Sequence, residues 1–468
     1  MLRPVRRTPP LATPILPTSV VPGVDPGQAL NAIEHSTVMT GSAPEGRSLP
    51  SLSRRVPDLP ELFRASLGLG FVGFGGGVSV LATLQRLTVD NKRWLTEREF
   101  INTITVAQML PGGAASNALA CIGLRFHGVP GALAAYVGFV LPGTLMVGAL
   151  AWVYLRFGAL PRAGAFLAGL NAAVVGIIVA ITLRMLRTGV RRPWQMGVAA
   201  AAVLMAMVGG AGSLEVVFLG ISTGLVSDLG IARARLFRLK KGKEKTSLIR
   251  SEGGKPMASG SAASSDEGAT QAGTKTLYAV AFGAVVLALW PLIAELVPLA
   301  IVFFKTGLGS YGGGFAIIPS LHSDVVARGW LSERQFADAV AVGKLTPGPV
   351  LLMATFIGFL RSGASGALVA TMAILVAPFL LVVVLARWLN RVRSRRWMRA
   401  AFHGLTPAVV GLMVAAGLTL GRSMQTGAGL AIAAVVALTL VRFERVNPVV
   451  MLALGGISRF VLKAAWGI

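Results

Sequence analysis

The sequence predicts an all-α, multi-pass membrane protein with about 13 transmembrane helices in two inverted repeats with broken helices. Three observations predict it: apolar runs of membrane-spanning length, motifs that recur in both halves, and arginines distributed oppositely in the two halves. Of 468 residues, 54% are hydrophobic and 13% are charged, about half the charged share of an ordinary soluble domain. Mean hydropathy is +0.70. Such a composition cannot cover the surface of a soluble globule of this size.

The chain contains many apolar runs of the length that a bilayer-spanning helix needs, about 20 predominantly apolar residues. Glycine and proline occur inside many of these runs, and membrane helices accept both more readily than water-soluble helices do. Thirteen spans are predicted, at 62–85, 99–122, 131–155, 165–186, 193–210, 213–230, 277–295, 298–320, 335–360, 364–388, 402–421, 427–442 and 448–465.

Two polar stretches divide the chain. The first is rich in Pro, Ser, Thr and Gly and lacks the apolar core of a signal peptide; a transit peptide remains an alternative, because its first twenty residues contain no acid. The second opens with Lys and Arg and continues with Ser, Gly and Ala, which is typical of a flexible linker. The predicted divisions are a disordered extension 1–60, a first transporter repeat 61–230, a cytoplasmic linker 231–275, a connecting transmembrane helix 276–297 and a second repeat 298–468.

The repeat is clearest in three of its matched motifs. Trp94–Phe100 matches Trp330–Phe336, the triple glycine Gly75–Gly77 matches Gly312–Gly314, and Pro111–Gly113 matches Pro347–Pro349. The offset between partners stays nearly constant. Internal repeats of this kind are a common plan of secondary transporters.

The arginines indicate that the repeats are inverted. The loop after the third span carries only Arg156 and Arg162 in the first half, whereas the matching stretch 387–399 of the second half carries six arginines. After the fourth span the bias reverses, with four arginines at 184–192 against Arg422. Because positively charged loops stay cytoplasmic, matching loops lie on opposite sides. The N-terminus is then predicted to be cytoplasmic.

Net charge and side-chain chemistry exclude several functions. Lys and Arg number 44 against 19 Asp and Glu, a net charge of +25. Nucleic-acid-binding proteins are also basic but are not this apolar, so the predicted partner is the lipid bilayer and not nucleic acid. Cys121 is the single cysteine and the four histidines are scattered. We therefore expect no disulfide, no metal site, no cofactor and no catalytic residues.

The triple glycines and the Pro-Gly motifs predict breaks inside apolar runs. Each glycine lowers helix stability by about 1 kcal/mol, and proline removes a helix hydrogen bond. In lipid, non-helical backbone survives only when it is buried in protein or lines a watery cavity. We therefore expect unwound, inward-facing segments whose new helix N-termini bind an anion near the midplane. The alternative is that the glycines allow close packing and the prolines merely kink.

Two ionisable residues lie in the ninth span, and Lys344 lies deep in it. Lys344 precedes Pro347 by three residues, and an intramembrane lysine is a functional hypothesis by default. Its counterpart in the first half is Gln108, while Asp338 corresponds to Asn102. Lys344 is predicted to attract a dianion, and Asp338 is a speculative proton carrier. The alternative is an interfacial Asp338 and a Lys344 that extends its ammonium to the membrane surface.

The predicted substrate site combines these breaks with the polar side chains beside them. Ser116 and Asn117 either donate hydrogen bonds to an oxyanion or bind helices together. The site comprises Gly75, Gly76, Gly77, Gln108, Pro111, Gly112, Gly113, Ser116, Asn117, Gly312, Gly313, Gly314, Lys344, Thr346, Pro347, Gly348 and Pro349.

The order of these motifs resembles the chromate ion transporter family, in its long two-domain form. Members carry a Phe-Gly-Gly element, a Trp-Leu segment, a Pro-Gly-Pro motif and an Ile-Gly stretch in each domain. The resemblance covers about 62–465 without the linker, and it implies a multi-pass protein of the plasma (inner) membrane. It further implies outward movement of chromate, driven by the membrane potential or the proton gradient, with sulfate as a related anion. The matching segments here are Gly73–Gly77, Trp94–Phe100, Pro111–Gly113, Ile122–Ala132, Ser310–Gly314, Trp330–Phe336, Pro347–Pro349 and Ile357–Ala367.

The first domain departs from the family pattern at two places. Gly75–Ser79 lacks the Pro and His that follow the glycines in typical members, and Pro111–Gly113 replaces Pro-Gly-Pro. The alternatives are a transporter, including an uptake system, for sulfate or another anion; a channel; and an intramembrane enzyme, for which no catalytic cluster is present. No nucleotide-binding Gly-x-x-x-x-Gly-Lys-Ser/Thr loop occurs, so a gradient is expected to supply the energy. A homodimer is one assembly compatible with the sequence.

Overall fold

The computed structural model describes residues 56–466 apart from 75–76, 159, 209, 243–293, 425 and 444–445. Within those residues the chain forms α-helices and contains no strand, which confirms the all-α class. The helices of the first half are α1 (Leu59–Val72), α2 (Gly77–Gln85), α3 (Glu97–Met109), α4 (Ala114–Phe157), α5 (Pro161–Gly189), α6 (Pro193–Met207) and α7 (Ser213–Gly242). Those of the second half are α8 (294–308), α9 (Ile318–Val326), α10 (Glu333–Leu345), α11 (Met353–Val392), α12 (Arg396–Arg422), α13 (Gly427–Arg442) and α14 (Pro448–Trp466).

Long apolar helices confirm a multi-pass membrane protein. Five of the described helical segments are long and apolar enough to cross a bilayer, and α6 and α13 are shorter apolar helices. The predicted extension 1–60, the linker 231–275 and the connecting helix 276–297 lie largely outside the described residues. The five long segments are Ala114–Phe157, Ala163–Gly189, Val350–Val392, Arg396–Arg422 and Pro448–Ala465.

The first predicted span, 62–85, is a hairpin and not a crossing. Helix α1 ends at Val72, and α2 begins at Gly77 and continues into a π-helical turn, Arg86–Asn91. Beyond that turn, Lys92 Nζ lies 2.9 Å from Glu61 Oε1 at the start of α1. The chain therefore reverses at the glycine break, because uninterrupted helix would hold these two side chains about 45 Å apart.

The second predicted span, 99–122, is also a hairpin. Asn117 Nδ2 donates to the Ala107 carbonyl at 3.3 Å, and Arg125 forms an ion pair with Glu99 across the open end. Each arm of this hairpin has about 13 residues, which is roughly 20 Å of helix. An arm of that length is shorter than the roughly 30 Å hydrocarbon core. The segment thus enters and leaves through one face of the molecule.

Helix α4 contains a reversal of its own, at His127 and Gly128. Gly128 has φ +62° and ψ −145°, which ends the helical path. A Cβ on Gly123 would collide with the Gly131 carbonyl, so the two parts of α4 pack antiparallel. Only the part after Gly128 is a crossing helix.

The second half folds in the same way, so the predicted spans 298–320 and 335–360 are hairpins too. Arg361 lies over the Trp330 ring, and its neighbour Ser362 donates to Glu295 at 2.8 Å, which places the ends of both hairpins together. Gly363 has φ +62° and ψ −146°, nearly the geometry of the first-half turn. Hydropathy missed the reversals because each arm pair forms one long apolar run.

The repeats are inverted. We call the face that holds Glu61, Glu99 and His127 the N-terminal face. The crossing part of α4 begins beside His127 at the N-terminal face and ends near Tyr154 at the other side of the molecule, which we call the opposite face. There Tyr154 donates a hydrogen bond to Asp338 of α10. The mouth of the α10 hairpin therefore lies at the opposite face, whereas the mouth of the α3 hairpin lies at the N-terminal face.

This inversion predicts opposite labelling of two equivalent residues. We expect Glu97→Cys and Glu333→Cys, both exposed, to react with a membrane-impermeant maleimide from opposite sides of oriented vesicles. Both variants are made in a Cys121→Ser protein, so that the introduced cysteine is the only one that can react; Cys121 itself is buried. Labelling of both cysteines from the same side would contradict the inverted arrangement.

Candidate functional site

The hairpin tips of the two halves meet each other. The Gly112 N–H donates to the Ser310 carbonyl at 2.8 Å, and the Gly348 N–H donates to the Gly73 carbonyl at 3.3 Å. The second hairpin of each half thus binds the first hairpin of the other half. We call this meeting point the tip junction. The four predicted breaks are real interruptions of helix and face one another inside the protein.

Glycine is required at the tips for both conformation and space. Gly112 has φ +112° and Gly348 has φ +106°, values that side-chain-bearing residues rarely adopt. A Cβ on Gly112 would lie 2.8 Å from Pro378 Cβ of α11, and one on Gly113 would lie 3.0 Å from Pro349 Cβ. The first-half tip therefore packs against prolines of the second half with no room for a side chain at either glycine.

The first-half tip opens into the N-terminus of α4. Gly113 is extended and provides no side-chain cap, so the first backbone N–H groups of α4 have no helical acceptor and carry partial positive charge. Ser116 Oγ donates to the Gly113 carbonyl at 2.8 Å, and Asn117 Nδ2 donates to the Pro111 carbonyl at 2.9 Å. Both buried side chains hold the turn, in line with the helix-binding alternative.

The second-half tip has a different lining. Pro349 is extended and precedes a 3₁₀ turn, Val350–Leu352, before α11 begins. Thr346 Oγ1 donates to the Val342 carbonyl at 3.1 Å. Here again the polar side chain is bound to its own helix, which leaves the backbone of the tip as the polar surface.

The described residues include all of the second glycine triplet but only the last glycine of the first. Gly75 and Gly76 lie outside the described residues, while Gly77 begins α2. Gly312–Gly314 forms a 3₁₀ turn with φ between +69° and +89°. A Cβ on Gly314 would lie 3.2 Å from Val350 Cβ, so this turn is in contact with the second-half tip.

Lys344 lies one turn before that tip and points into the protein. The residue is 8% exposed, and its Nζ lies 4.9 Å from the centroid of the Phe315 ring, directly after the glycine turn. In the described part of the chain, no carboxylate lies within 4.0 Å of this ammonium. A buried cation without a counter-ion is costly and needs a functional reason. Gln108, its first-half counterpart, is exposed, whereas Lys344 is buried.

Asp338 is buried between the halves, in the second turn of α10. It is 1% exposed. Tyr154 Oη donates to its Oδ2 at 2.9 Å, Asn171 Nδ2 donates to its Oδ1 at 2.7 Å, and Arg334 Nε lies 4.0 Å from Oδ2. Two first-repeat side chains thus hold one second-repeat carboxylate. Sequence reasoning missed Tyr154 and Asn171, whose only signal was a polar group inside an apolar run.

Two cavities open at opposite ends of the molecule. The larger, about 820 Å³, is lined by Asp338 and Asn171 together with several cations. The smaller, about 400 Å³, contains Asn102, the counterpart of Asp338, together with Arg387 and Arg393. Two of the six arginines at 387–399, which indicate topology in the sequence, thus also line a cavity. No group of three or more metal-binding side chains occurs within the described residues.

Comparison with known proteins gives one consistent family. The family described as Chromate transporter matches residues 60–226 and 297–460. The chain is 30% identical over 400 residues to the chromate transport protein of Cupriavidus metallidurans, covering 84% of this chain and 91% of that protein. It is 30% identical to the probable chromate transport protein of Synechococcus elongatus, covering 78% and 85% of the two chains.

A third relative is the chromate transport protein of Pseudomonas aeruginosa, with 27% identity over 76% of this chain and 79% of that protein. No solved structure matches the chain. The matched ranges contain both hairpin pairs of the tip junction, together with Lys344 and Asp338.

Proposed function

Because the chain belongs to the chromate transporter family, we propose that it moves chromate, a tetrahedral divalent oxyanion, across the membrane through the tip junction. The observation that carries this proposal is the buried Lys344 ammonium, which has no counter-ion among the described residues and lies beside the meeting point of four helix breaks. A dianion would supply the missing negative charge.

The backbone of the tips would complete the oxyanion site. Helix N-termini donate N–H groups and carry partial positive charge, and this combination binds oxyanions in many proteins. The uncapped start of α4 at Gly113 and the extended Pro349 bring two such ends close together. In a water-poor environment these interactions gain strength, because the effective dielectric constant falls.

The two cavities support alternating access. Each reaches inward from one face, and the residues Asn102 and Asp338 occupy equivalent places in them. Rocking of one repeat against the other would open one cavity to the junction while it closes the other. We propose outward transport, a plasma-membrane location and a cytoplasmic N-terminus, as the loop charges and the family resemblance imply.

Asp338 is our candidate for proton coupling. Its two hydrogen bonds come from Tyr154 and Asn171 of the other repeat. Protonation would remove the charge that these donors stabilise and would weaken the link between the repeats. The carboxylate could in this way connect a proton gradient to the rocking motion.

We therefore expect Asp338→Asn to transport chromate without dependence on an imposed pH gradient. The measurement is chromate flux in proteoliposomes with and without that gradient, at constant membrane potential. Asp324→Asn is the control, because Asp324 of α9 pairs with Arg328, just beyond the end of that helix, and does not line the cavity. Retention of full pH-gradient dependence by Asp338→Asn would remove Asp338 from the coupling.

The test of the transport function itself is direct. Cells that produce the protein should accumulate less chromate than matched cells that produce an inactive Lys344→Ala variant. Vesicle flux with chromate, sulfate and organic anions as competitors would then establish the preferred substrate. Equal chromate accumulation in both cell populations would count against chromate efflux.

A further inference from the structure

We propose that the 820 Å³ cavity at the opposite face is a second binding site for a divalent oxyanion, separate from the tip junction, with Arg459 as its central ligand. This inference rests on the proposed function, because it places the site on the same transport route. We call it the vestibule site.

The charges that line the cavity favour a dianion. Among the described residues of the lining, four cations accompany two carboxylates, an excess of two positive charges. One carboxylate, Glu333, lies 2.6 Å from His322 Nε2, and the other, Asp338, already accepts hydrogen bonds from Tyr154 and Asn171. The cations are Arg334, Arg422, Arg459 and Lys463.

Arg459 is a buried, preorganised residue of this cavity and not part of an exposed charged surface. It is 8% exposed although it belongs to an apolar helix, α14, and its Nη2 donates to Thr426 Oγ1 at 3.3 Å. The backbone of α14 is fixed one turn earlier, where Gly455 packs closely against Gly169 of α5. A guanidinium held rigidly in a cavity presents planar, fixed donors that suit an oxyanion.

Helix α10 connects the vestibule site to the junction. Arg334 lies at the mouth and Ala337 in the lining. Lys344 follows Ala337 by seven residues, so it lies on the same side of the helix, about 10 Å deeper. Ala341, between them, is completely buried. The two cation sites are thus separate in this structure and are joined by one helix face.

The experiment is equilibrium binding of radiolabelled chromate to the full-length protein in detergent. The variants are Lys344→Ala, Arg459→Gln and the double variant, with Arg328→Gln as the control. Arg328 lies toward the same face, pairs with Asp324 and does not line the cavity. Size-exclusion elution checks folding, and Arg422→Gln replaces Arg459→Gln if the latter is unstable.

We expect Lys344→Ala to retain binding at about half the stoichiometry of the unaltered protein. Addition of Arg459→Gln should weaken that remaining binding about tenfold or more, because a charge-assisted contact is lost. Addition of Arg328→Gln should leave it unchanged. The vestibule site is overturned if Lys344→Ala binds no chromate, or if the Arg459 change has no further effect.

A second probe separates this inference from the proposed function. If the unaltered protein binds and transports no chromate, the same series is repeated with radiolabelled sulfate. Arg459-dependent sulfate binding would then support the vestibule site while the chromate assignment fails. Binding of neither anion would overturn both.

Discussion

Replacement of Lys344 by alanine is expected to abolish chromate transport, with a loss of about a hundredfold or more, while the protein remains folded. The ammonium lies one turn before the second-half tip. Loss of a charge-assisted contact to a dianion in a buried site costs about 3 kcal/mol, the upper end of the range for such contacts, which corresponds to roughly a hundredfold. Folding should survive, because removal of an unpaired buried cation relieves a desolvation cost. Chromate flux in proteoliposomes is the measurement.

The matched control is Lys305→Ala. Lys305 lies on α8 in the same repeat, is about half exposed and forms a 3.3 Å ion pair with Glu215. Loss of that surface pair should change flux little. Unchanged flux in Lys344→Ala would exclude Lys344 as a substrate ligand, whereas equal losses in both variants would point to a general effect of net charge.

Replacement of Gly112 by alanine is expected to have the second large effect, a strong loss of both folded protein and transport. The residue has φ +112°, and its added Cβ would lie 2.8 Å from Pro378 Cβ. Strain and overpacking together cost about 2–5 kcal/mol. Displacement of the tip would also break the hydrogen bond to Ser310. The measurements are the yield of monodisperse protein and its chromate flux.

Gly329→Ala is the control for backbone strain alone. Gly329 also has a positive φ, +67°, but nothing lies within 4 Å of the position of its Cβ. We expect this variant to express and transport nearly normally. If Gly112→Ala behaved like Gly329→Ala, the close packing of the tips would not be essential.

The sequence alone supplied the class of the fold, the duplication and the positions of the breaks. Hydropathy records how long an apolar run is but not whether the chain reverses inside it, so 99–122 looked like one crossing. The reversal is visible only in pairs such as Glu99 with Arg125, where opposite charges at both ends of a run meet. Oppositely charged residues at the two ends of an interrupted apolar run therefore indicate a hairpin.

The sequence predicts those site residues whose charge is unusual within an apolar run. Lys344 and Asp338 stand out because ionisable groups are rare inside apolar runs. Their partners were not predictable: Tyr154 and Asn171 lie more than 160 positions from Asp338 along the chain. The burial of Arg459 likewise depends on the packing of α14 against α5, which no local pattern encodes.

The reciprocal hydrogen bonds at the tips have a consequence for shorter chains. The Gly112 N–H donates to the second repeat and the Gly348 N–H donates to the first. Neither repeat alone therefore satisfies the hydrogen bonds of its own tip. A polypeptide with a single repeat would have to recruit another copy inserted upside down in the bilayer. Fusion of two oppositely oriented copies into one gene product makes that encounter obligatory and fixes their ratio at one to one.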